Sequence, residues 1–330
     1  MKAIYELLNI GLQLFAEPNT QTTASSDLSG EMKTYYSDYL IDLVEAELIH
    51  DQFGQKHPIP QNGGKKIEFR QWDVLPEMTT ALTEGVTPDG QSLKMSTIEA
   101  SVEQYGGYVT ISDMLKLTTV DPVMVQATKA IASQAGRSLD TITREVLNAG
   151  TVVQYGGGKT SRAALDYTDA TTNCNLTVSD VKKAVRYLES QNAPKINGYY
   201  VGILHPFCKF DLMNDPEWLK PHQYADTSNI YANEIGEIAG VRFVQNTRAK
   251  VFEKAGASNA NVYSTLILAD DAYGVTELEG GGLEHIVKQL GSAGSADPLN
   301  QRATVGWKAT KVAKILVPQY MVRIETTATP

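Results

Sequence analysis

The chain of 330 residues is poor in the two residue types that most often mark a metal centre or a disulfide framework. Its only cysteines, Cys174 and Cys208, lie far apart and form no C-x-x-C pair, which argues against both a disulfide scaffold and a zinc site. Five histidines are present, and no two of them have the spacing or clustering of metal ligands. We therefore predict no bound metal and no cofactor.

Basic charge and long apolar runs are also scarce. The formal net charge is −9 and the pI is about 5.2, which argues against a protein that grips phosphate backbones but allows one that lies beside nucleic acid. No stretch approaches 18 uninterrupted apolar residues. The apolar N-terminal segment is interrupted by Glu6, Asn9 and Gln13, so it predicts a short amphipathic helix rather than a signal peptide. We predict no membrane partner.

Catalytic motifs are incomplete. Residues 156–160 read GGGKT, but Val153 stands where a phosphate-binding P-loop needs its first glycine, so the stretch is interpreted as a flexible turn. His205 follows an apolar strand without a nucleophile elbow nearby, and it is interpreted as a structural histidine. Asp270 and Asp271 are typical of a helix start. We predict no catalytic residues and no enzyme activity, with an enzyme using GGGKT or His205 as the alternative.

What the sequence does contain is one long helical pattern, over residues 121–150. Asp121 suits the N-cap, Pro122 the first turn and Gly150 the C-terminal stop. Polar residues such as Lys129 and Asp140 are predicted to lie away from the apolar face. The apolar spacing of three and four residues places one set of side chains on a single buried face, and the residues predicted to anchor it are Met124, Ile131, Leu139 and Ile142.

Before this helix, residues 65–72 and 96–111 alternate apolar and polar side chains and flank a long loop with turn residues. We predict an antiparallel ribbon in which Lys66 and Arg70 face Glu99 and Glu103 across the strands. A two-stranded ribbon is marginally stable alone, so its apolar face needs a partner. We expect that partner to be another subunit, with packing on its own chain as the alternative. The predicted anchors are Ile67, Phe69, Ile98 and Val102.

The remaining chain predicts a mobile N-terminal region and a mixed α/β domain. Residues 17–30 are polar and small, and residues 29–50 have helical apolar spacing. Residues 176–192 predict a helix whose capping box is Thr177 and Asp180. Strands are predicted within residues 199–207, 236–248, 263–278 and 302–326, with the apolar run in 263–278 at the centre of the sheet.

Several stretches resemble a known family. NIGLQLFAE (9–17), TYYSDYLIDLVEAELIHDQFG (34–54), VEQYGGYVTISDML (102–115) and RATVGWKATKVAKILVPQYMVRIE (302–325) are similar to the major capsid proteins of tailed bacteriophages with the Hong Kong-phage (Johnson) fold, closest to the podovirus-type coat proteins. The order of arm, long hairpin, long helix, α/β domain and returning strands matches as well. None of these stretches is a catalytic motif.

The resemblance implies an α+β Johnson-type capsid fold with five parts. These are an N-terminal arm (1–56), an extended hairpin loop (57–112), a peripheral domain with its spine helix (113–175), an axial α/β domain (176–289) and returning peripheral strands (290–330).

It also implies a function. The chain would assemble with itself into hexamers and pentamers of an icosahedral head that encloses double-stranded DNA without sequence-specific binding. Portal, scaffold and decoration proteins are candidate partners, and the expected location is the virion capsid after assembly in the host bacterial cytoplasm. The alternative is an encapsulin-like cellular shell with a protein cargo.

Overall fold

The computed structural model describes residues 48–58, 65–72, 75–81, 84–85, 87, 90–118, 123–167, 174–218, 234–277, 283–292 and 297–329. The predictions for residues 1–47, for the caps Asp121 and Pro122, and for parts of the hairpin loop lie outside the described residues. Numbered within this part of the chain, the α-helices are α1 (Asp113–Thr118), α2 (Val123–Asn148), α3 (Val178–Ser190) and α4 (Pro206–Met213).

The strands of the described residues form four sheets. The strand bounds are β1 (Gln55–His57), β2 (Lys66–Trp72), β3 (Met95–Ser101), β4 (Glu103–Ser112), β5 (Val153–Tyr155), β6 (Tyr200–Leu204), β7 (Glu234–Ile238), β8 (Val241–Gln245), β9 (Val251–Phe252), β10 (Val262–Leu268), β11 (Tyr273–Thr276), β12 (Leu283–Lys288), β13 (Arg302–Lys311), β14 (Ala313–Ile315) and β15 (Met321–Thr326). The ribbon pairs β2 with β3, and a second sheet has the order β12–β13–β4. The largest sheet has the order β5–β15–β10–β6–β8–β7 with β9 beside β10, and a small sheet has the order β1–β11–β14.

The long helix predicted for residues 121–150 is α2, which runs for 26 residues and ends two residues before Gly150. At 1.5 Å per residue it is about 39 Å long. Its first half packs against the inner face of the β12–β13–β4 sheet, where Ile131 and Leu139 join Val305 and Trp307 in one apolar cluster. We call the β12–β13–β4 sheet the peripheral sheet, after the predicted domain that contains α2.

The largest sheet has an apolar cluster on each face, because its central strands are buried on both sides. Helices α3 and α4 cover one face, where Leu188 and Leu212 pack on Ile267 of β10. The C-terminal end of α2 and the small β1–β11–β14 sheet cover the other face, where Leu147 and Tyr273 contribute. As predicted, β10 is a central strand, since it pairs antiparallel with both β15 and β6.

Local signals in the sequence set the helix starts in this part. Thr177 is the predicted N-cap of α3, and its hydroxyl accepts a hydrogen bond from the Asp180 amide, which is one half of the predicted capping box. Helix α4 starts at Pro206 as predicted, and His205 caps it by accepting a hydrogen bond from the Phe207 amide.

The second ribbon strand differs from the prediction, because it is two strands in two sheets. Strand β3 ends at Ser101, and β4 begins at Glu103 and pairs with β13 instead of β2. At the break, the Val102 amide donates to the Lys65 carbonyl and its side chain turns into the apolar cluster below the ribbon. Glu103 therefore lies outside the ribbon, and the predicted placement of Glu103 among the cross-strand charges of the ribbon is wrong.

Three strands pair across the bounds of the predicted parts, and those bounds stay a prediction. Strand β12, in the segment assigned to the axial domain, pairs with β13 in the β12–β13–β4 sheet. Strands β5 and β15, in the segments assigned to the peripheral domain, pair with each other in the largest sheet, where β15 also pairs with β10.

Candidate assembly site

The base of the ribbon is packed on its own chain. Ile67, Phe69 and Val102 are 6%, 1% and 7% exposed, and together with Ala100 they form a cluster against which Ile98, Val312 and Leu316 pack. The Phe69 ring meets His57 edge-on, with ring centroids 4.8 Å apart. It also fills the space above Gly274, where an added Cβ would lie 2.5 Å from the ring.

This packing corrects the expectation for the four ribbon anchors. Ile67, Phe69 and Val102 have almost no surface left for a second subunit, and Ile98 is half-buried against the same cluster. The structure shows the alternative arrangement, in which the apolar face of the ribbon base folds onto its own chain. A role of these residues in subunit contacts is therefore not part of the assembly site that we propose below.

The polar face of the ribbon carries the expected cross-strand charges. Lys66 Nζ lies 2.5 Å from Glu99 Oε2, and both side chains are exposed. The hydrogen bond and the charge of Glu99 raise the pKa of Lys66. Arg70 Nη2 lies 3.9 Å from Glu68 Oε2 on its own strand. Exposed pairs of this kind contribute little to stability.

Exposed large apolar side chains of the described residues lie in three regions of the chain, apart from Tyr167. We call the first the distal band, since it lies on the ribbon beyond its packed base. The second, the apolar shelf, surrounds the end of β4 and α1, a helix with no buried residue. The third is the outer face of α4. The distal band consists of Leu75, Met78, Leu93 and Met95, the shelf of Tyr108, Val109, Met114, Leu115, Leu117 and Leu299, and the α4 face of Phe207, Phe210 and Met213.

These surfaces have the composition of contact sites. Soluble monomers seldom leave contiguous apolar patches in water, and larger ones usually mark interaction surfaces. Two of the three lie on segments that project from the packed clusters, the ribbon beyond its base and the short helix α1. The distal band, the shelf and the α4 face can therefore each bind a partner by burying apolar surface, so one chain offers several separate contact surfaces.

The predicted spine residues are placed in the peripheral cluster. Ile131 and Leu139 are 1% and 0% exposed, and Met124 and Ile142 pack against the same cluster from its edges. The nearby Trp307 indole donates to Gln134 Oε1 at 3.3 Å. These four residues pack α2 against the peripheral sheet, whose strand β4 carries part of the shelf.

Sequence reasoning missed a buried polar junction on the same helix. Asp140, predicted to lie away from the core, is 1% exposed and accepts hydrogen bonds from the His50 amide and imidazole Nδ1, each at 2.9 Å. The Asn246 amide lies 3.4 Å from the same carboxylate. Burial alone would raise the pKa of Asp140, but the hydrogen bonds and charge of His50, with Asn246, outweigh it and hold the pKa below its usual value.

A second buried ion pair adjoins the first. Lys311, at the end of β13, pairs with Asp51, and the Thr143 hydroxyl donates to the other oxygen of that carboxylate at 2.6 Å. Tyr273 donates to the His50 carbonyl, and burial together with the charges of Asp51 and Asp140 raises its pKa well above the usual value. The junction thus joins the segment at residues 48–53 to α2, β13 and the small sheet.

We expect Asp140→Asn to destabilise the protein at neutral pH and much less in acid. A carboxylate with a lowered pKa stabilises the folded state above its unfolded pKa of about 3.9, and that stability is lost as the pH falls through the lower folded pKa. Removing one partner of a buried pair costs about 3 kcal/mol. Urea unfolding at pH 7 and near pH 3 measures the change, and an equal cost at both values would contradict it.

Glu145→Gln is the matched control for that experiment. Glu145 lies on the same helix, and its pKa is also lowered, since the hydrogen bonds and charges of Lys250 and Arg144 outweigh its partial burial. Its side chain is 44% exposed, however, so the pair is screened by water. We expect a cost below about 1 kcal/mol at any pH.

The structure also places the candidate catalytic residues. The GGGKT stretch follows the short strand β5, and Gly157 and Gly158 turn the chain with φ of 61° and 69°. The Lys159 amide donates back to the Gly156 carbonyl, which closes a tight turn. His205 caps α4 and packs against Tyr263, and burial lowers its pKa. Within the described residues no group of three histidine, cysteine or acidic side chains is placed to hold a metal ion.

No helix among the described residues is both long and apolar enough to cross a bilayer. A comparison with curated protein sequences gives no match.

Solved structures resemble the chain over most of its length. The capsid of Ralstonia phage GP4 matches with a TM-score of 0.64 at 15% identity, covering 85% of this chain and 86% of that one. The capsid of cyanophage Pam1 matches with a TM-score of 0.59 at 16% identity, covering 81% and 86%. The encapsulin SrpI of Synechococcus elongatus PCC 7942 matches with a TM-score of 0.52 at 10% identity, covering 84% and 86%.

These likenesses confirm the predicted α+β fold of the Johnson type. The family is decided by sequence, because a family model described as phage capsid protein matches residues 95–324. That range is more than half of the chain and runs from the second ribbon strand through α2 to β15. The chain belongs to the phage capsid protein family, as a major capsid protein.

Proposed function

We propose that this chain assembles with itself into hexamers and pentamers that close into an icosahedral phage head. The observation that carries the proposal is the set of three apolar surfaces left exposed on a folded subunit, the distal band, the shelf and the α4 face. Rings of identical subunits use a different surface on each side of the subunit, so one chain must present at least two of them. Membership of a capsid protein family supports the same conclusion.

We also propose that the head encloses double-stranded DNA and that the chain binds this DNA without sequence specificity. The net charge of −9 supports this, because an acidic subunit does not trap a polyanion that must later leave. The expected site of assembly is the host bacterial cytoplasm, and portal, scaffold and decoration proteins are further candidate partners.

A second candidate function is an encapsulin-like shell around a protein cargo, favoured by the fold likeness to SrpI. The content of the particles separates the two functions. Particles from the native source are treated with nuclease, opened and analysed for DNA and protein. We expect nuclease-resistant double-stranded DNA in near-stoichiometric yield per particle. A co-purifying protein without protected DNA would overturn the phage-head function in favour of the second candidate.

A further inference from the structure

Residues 48–57, which we call the docking segment, contact three separate parts of the fold. Leu48 is buried in the cluster between α2 and the peripheral sheet. Phe53 is buried in the cluster that the small β1–β11–β14 sheet covers. His57, at the end of β1, meets the Phe69 ring of the ribbon base edge-on. The docking segment therefore connects α2 to the ribbon base.

Buried polar groups hold this segment in place. The His50 amide donates to the Asp140 carboxylate of α2, and the imidazole Nδ1 lies 2.9 Å from the same carboxylate. Asp51 pairs with Lys311 of β13, and Tyr273 of β11 donates to the His50 carbonyl. A buried ion pair gains little net stability, because desolvation offsets most of the attraction, whereas loss of one partner is strongly destabilising. Docking of the segment therefore depends on each pair being complete.

The docking segment also forms part of the floor under the ribbon. Strand β1 pairs parallel with β11, and Gln55 lies opposite Gly274. The Phe69 ring occupies the space above Gly274, where an added Cβ would lie 2.5 Å from it. The Glu277 amide donates to the His57 carbonyl at 3.0 Å, which holds the histidine beside that ring. Phe69 thus lies on two strands, one of which belongs to the docking segment.

A second connection runs through the end of β13. The side chain of Lys311 pairs with Asp51 of the docking segment, and the next residue, Val312, packs against the apolar cluster of the ribbon base. The Val312 amide donates to the Thr276 hydroxyl, and the Thr276 amide donates back to the Val312 carbonyl, each at 3.1 Å. A displacement of Lys311 is therefore passed directly to a residue that supports the ribbon.

We infer that the docking segment docks and undocks as one unit, and that it holds the ribbon base in a fixed direction only while it is docked. Undocking takes His57 away from Phe69 and leaves Lys311 without Asp51, so both supports of the ribbon base loosen together. Proteins open locally in such cooperative units at a lower free energy than global unfolding requires. In a shell, only docked subunits would then present the distal band in one direction, a consequence that rests on the proposed function.

Hydrogen exchange measured by mass spectrometry on the full chain tests this coupling. Asp51→Asn leaves Lys311 without its buried partner. We expect the amides of residues 50–57, 66–72 and 98–102 to exchange at least tenfold faster than in the parent, while the amides of α3 keep the parent rate. Glu145→Gln, which makes the same chemical change in a half-exposed pair on α2, is the matched control and should leave all of these rates unchanged. Light scattering checks that the compared samples share one assembly state.

Two further variants separate the coupling from a simple loss of charge. Asp51→Asn/Lys311→Met leaves no charge buried alone, so the ribbon amides should return to within twofold of the parent rate. Gly54→Ala changes no charge, but its Cβ would lie 2.5 Å from the ring of Tyr273, which bonds the docking segment. It should reproduce the exchange pattern of Asp51→Asn, and it tests the coupling even where Asp51→Asn does not fold.

Two patterns of exchange would overturn the coupling. One is faster exchange confined to residues 50–57 with the ribbon at the parent rate, and the other is an equal acceleration in α3, which would indicate a general loss of stability. Neither pattern depends on assembly. Shells from a parent chain whose variants show either pattern would leave the proposed function standing and remove the coupling. A parent chain that never assembles while its variants show the expected pattern would do the reverse.

Discussion

Ile131→Asp is expected to abolish the recovery of folded, soluble protein. Ile131 is 1% exposed and lies between α2 and the peripheral sheet, among Leu139, Val305 and Trp307. Removing a buried isoleucine costs about 3 kcal/mol, and a carboxylate without a partner adds several more. Since domains are stable by only about 5–15 kcal/mol, the folded state does not survive the change.

The measurement is the soluble yield after expression, followed by circular dichroism and thermal unfolding of any protein that is recovered. Lys129→Asp is the matched control, because Lys129 is exposed on the same helix and receives the same charge. We expect that control to unfold within about 0.5 kcal/mol of the parent. An Ile131→Asp protein with the melting temperature of the parent would show that α2 is not packed as described.

Met78→Asp combined with Leu93→Asp is expected to leave the subunit folded and to block shell formation. The two side chains are 62% and 59% exposed in the distal band, so the folded chain loses little. At a subunit contact, loss of an apolar anchor costs about 1–2 kcal/mol. In a closed ring each subunit takes part in two contacts, one with each neighbour. The assembly concentration should therefore rise by more than about tenfold.

Thermal unfolding tests whether the variant subunit stays folded, and electron microscopy of the same sample tests whether shells form. Thr80→Asp, an exposed position in the same loop, adds the same charge without removing an apolar anchor and should still assemble. Phe69→Asp is expected to behave in the opposite way, losing the fold, because Phe69 is packed inside the chain. Normal shells from the Met78→Asp/Leu93→Asp variant would contradict the role of the distal band.

The elements that were predictable from the sequence depend on signals close together in the chain. The length of α2 follows from apolar residues every three or four positions, and the start of α3 follows from Thr177 and Asp180. The central position of β10 follows from its unbroken apolar run. Family resemblance then added the fold as a whole, which the residues alone did not determine.

The partner of the ribbon base could not be predicted, because alternation shows that a face is buried without showing what covers it. Phe69 is covered by Val312 and Leu316, which lie more than 240 residues further along the chain. Only the long-range pairing of the strands brings them together. The distal band was hidden for the same reason, since nothing in the ribbon sequence marks where its own chain stops covering it.

The buried ion pairs were missed, although one signal was present. In β13 the inward positions are Ala303, Val305, Trp307 and Ala309, and Lys311 continues that row. A lysine in a buried row requires a buried acid, which is Asp51. The partner of Asp140, His50, lies 90 residues away and carries no mark in the sequence. Apolar periodicity alone placed Asp140 on the wrong side of α2.

The most direct test of the account is the size of the purified parent chain, measured by size-exclusion chromatography with light scattering and followed by electron microscopy of the earliest fraction. We predict closed shells, or rings of five and six subunits, at concentrations where the Met78→Asp/Leu93→Asp variant elutes as a monomer. A parent chain that stays monomeric at high concentration, alone and with lysate from its native source, would contradict the claim that the exposed apolar surfaces serve self-assembly.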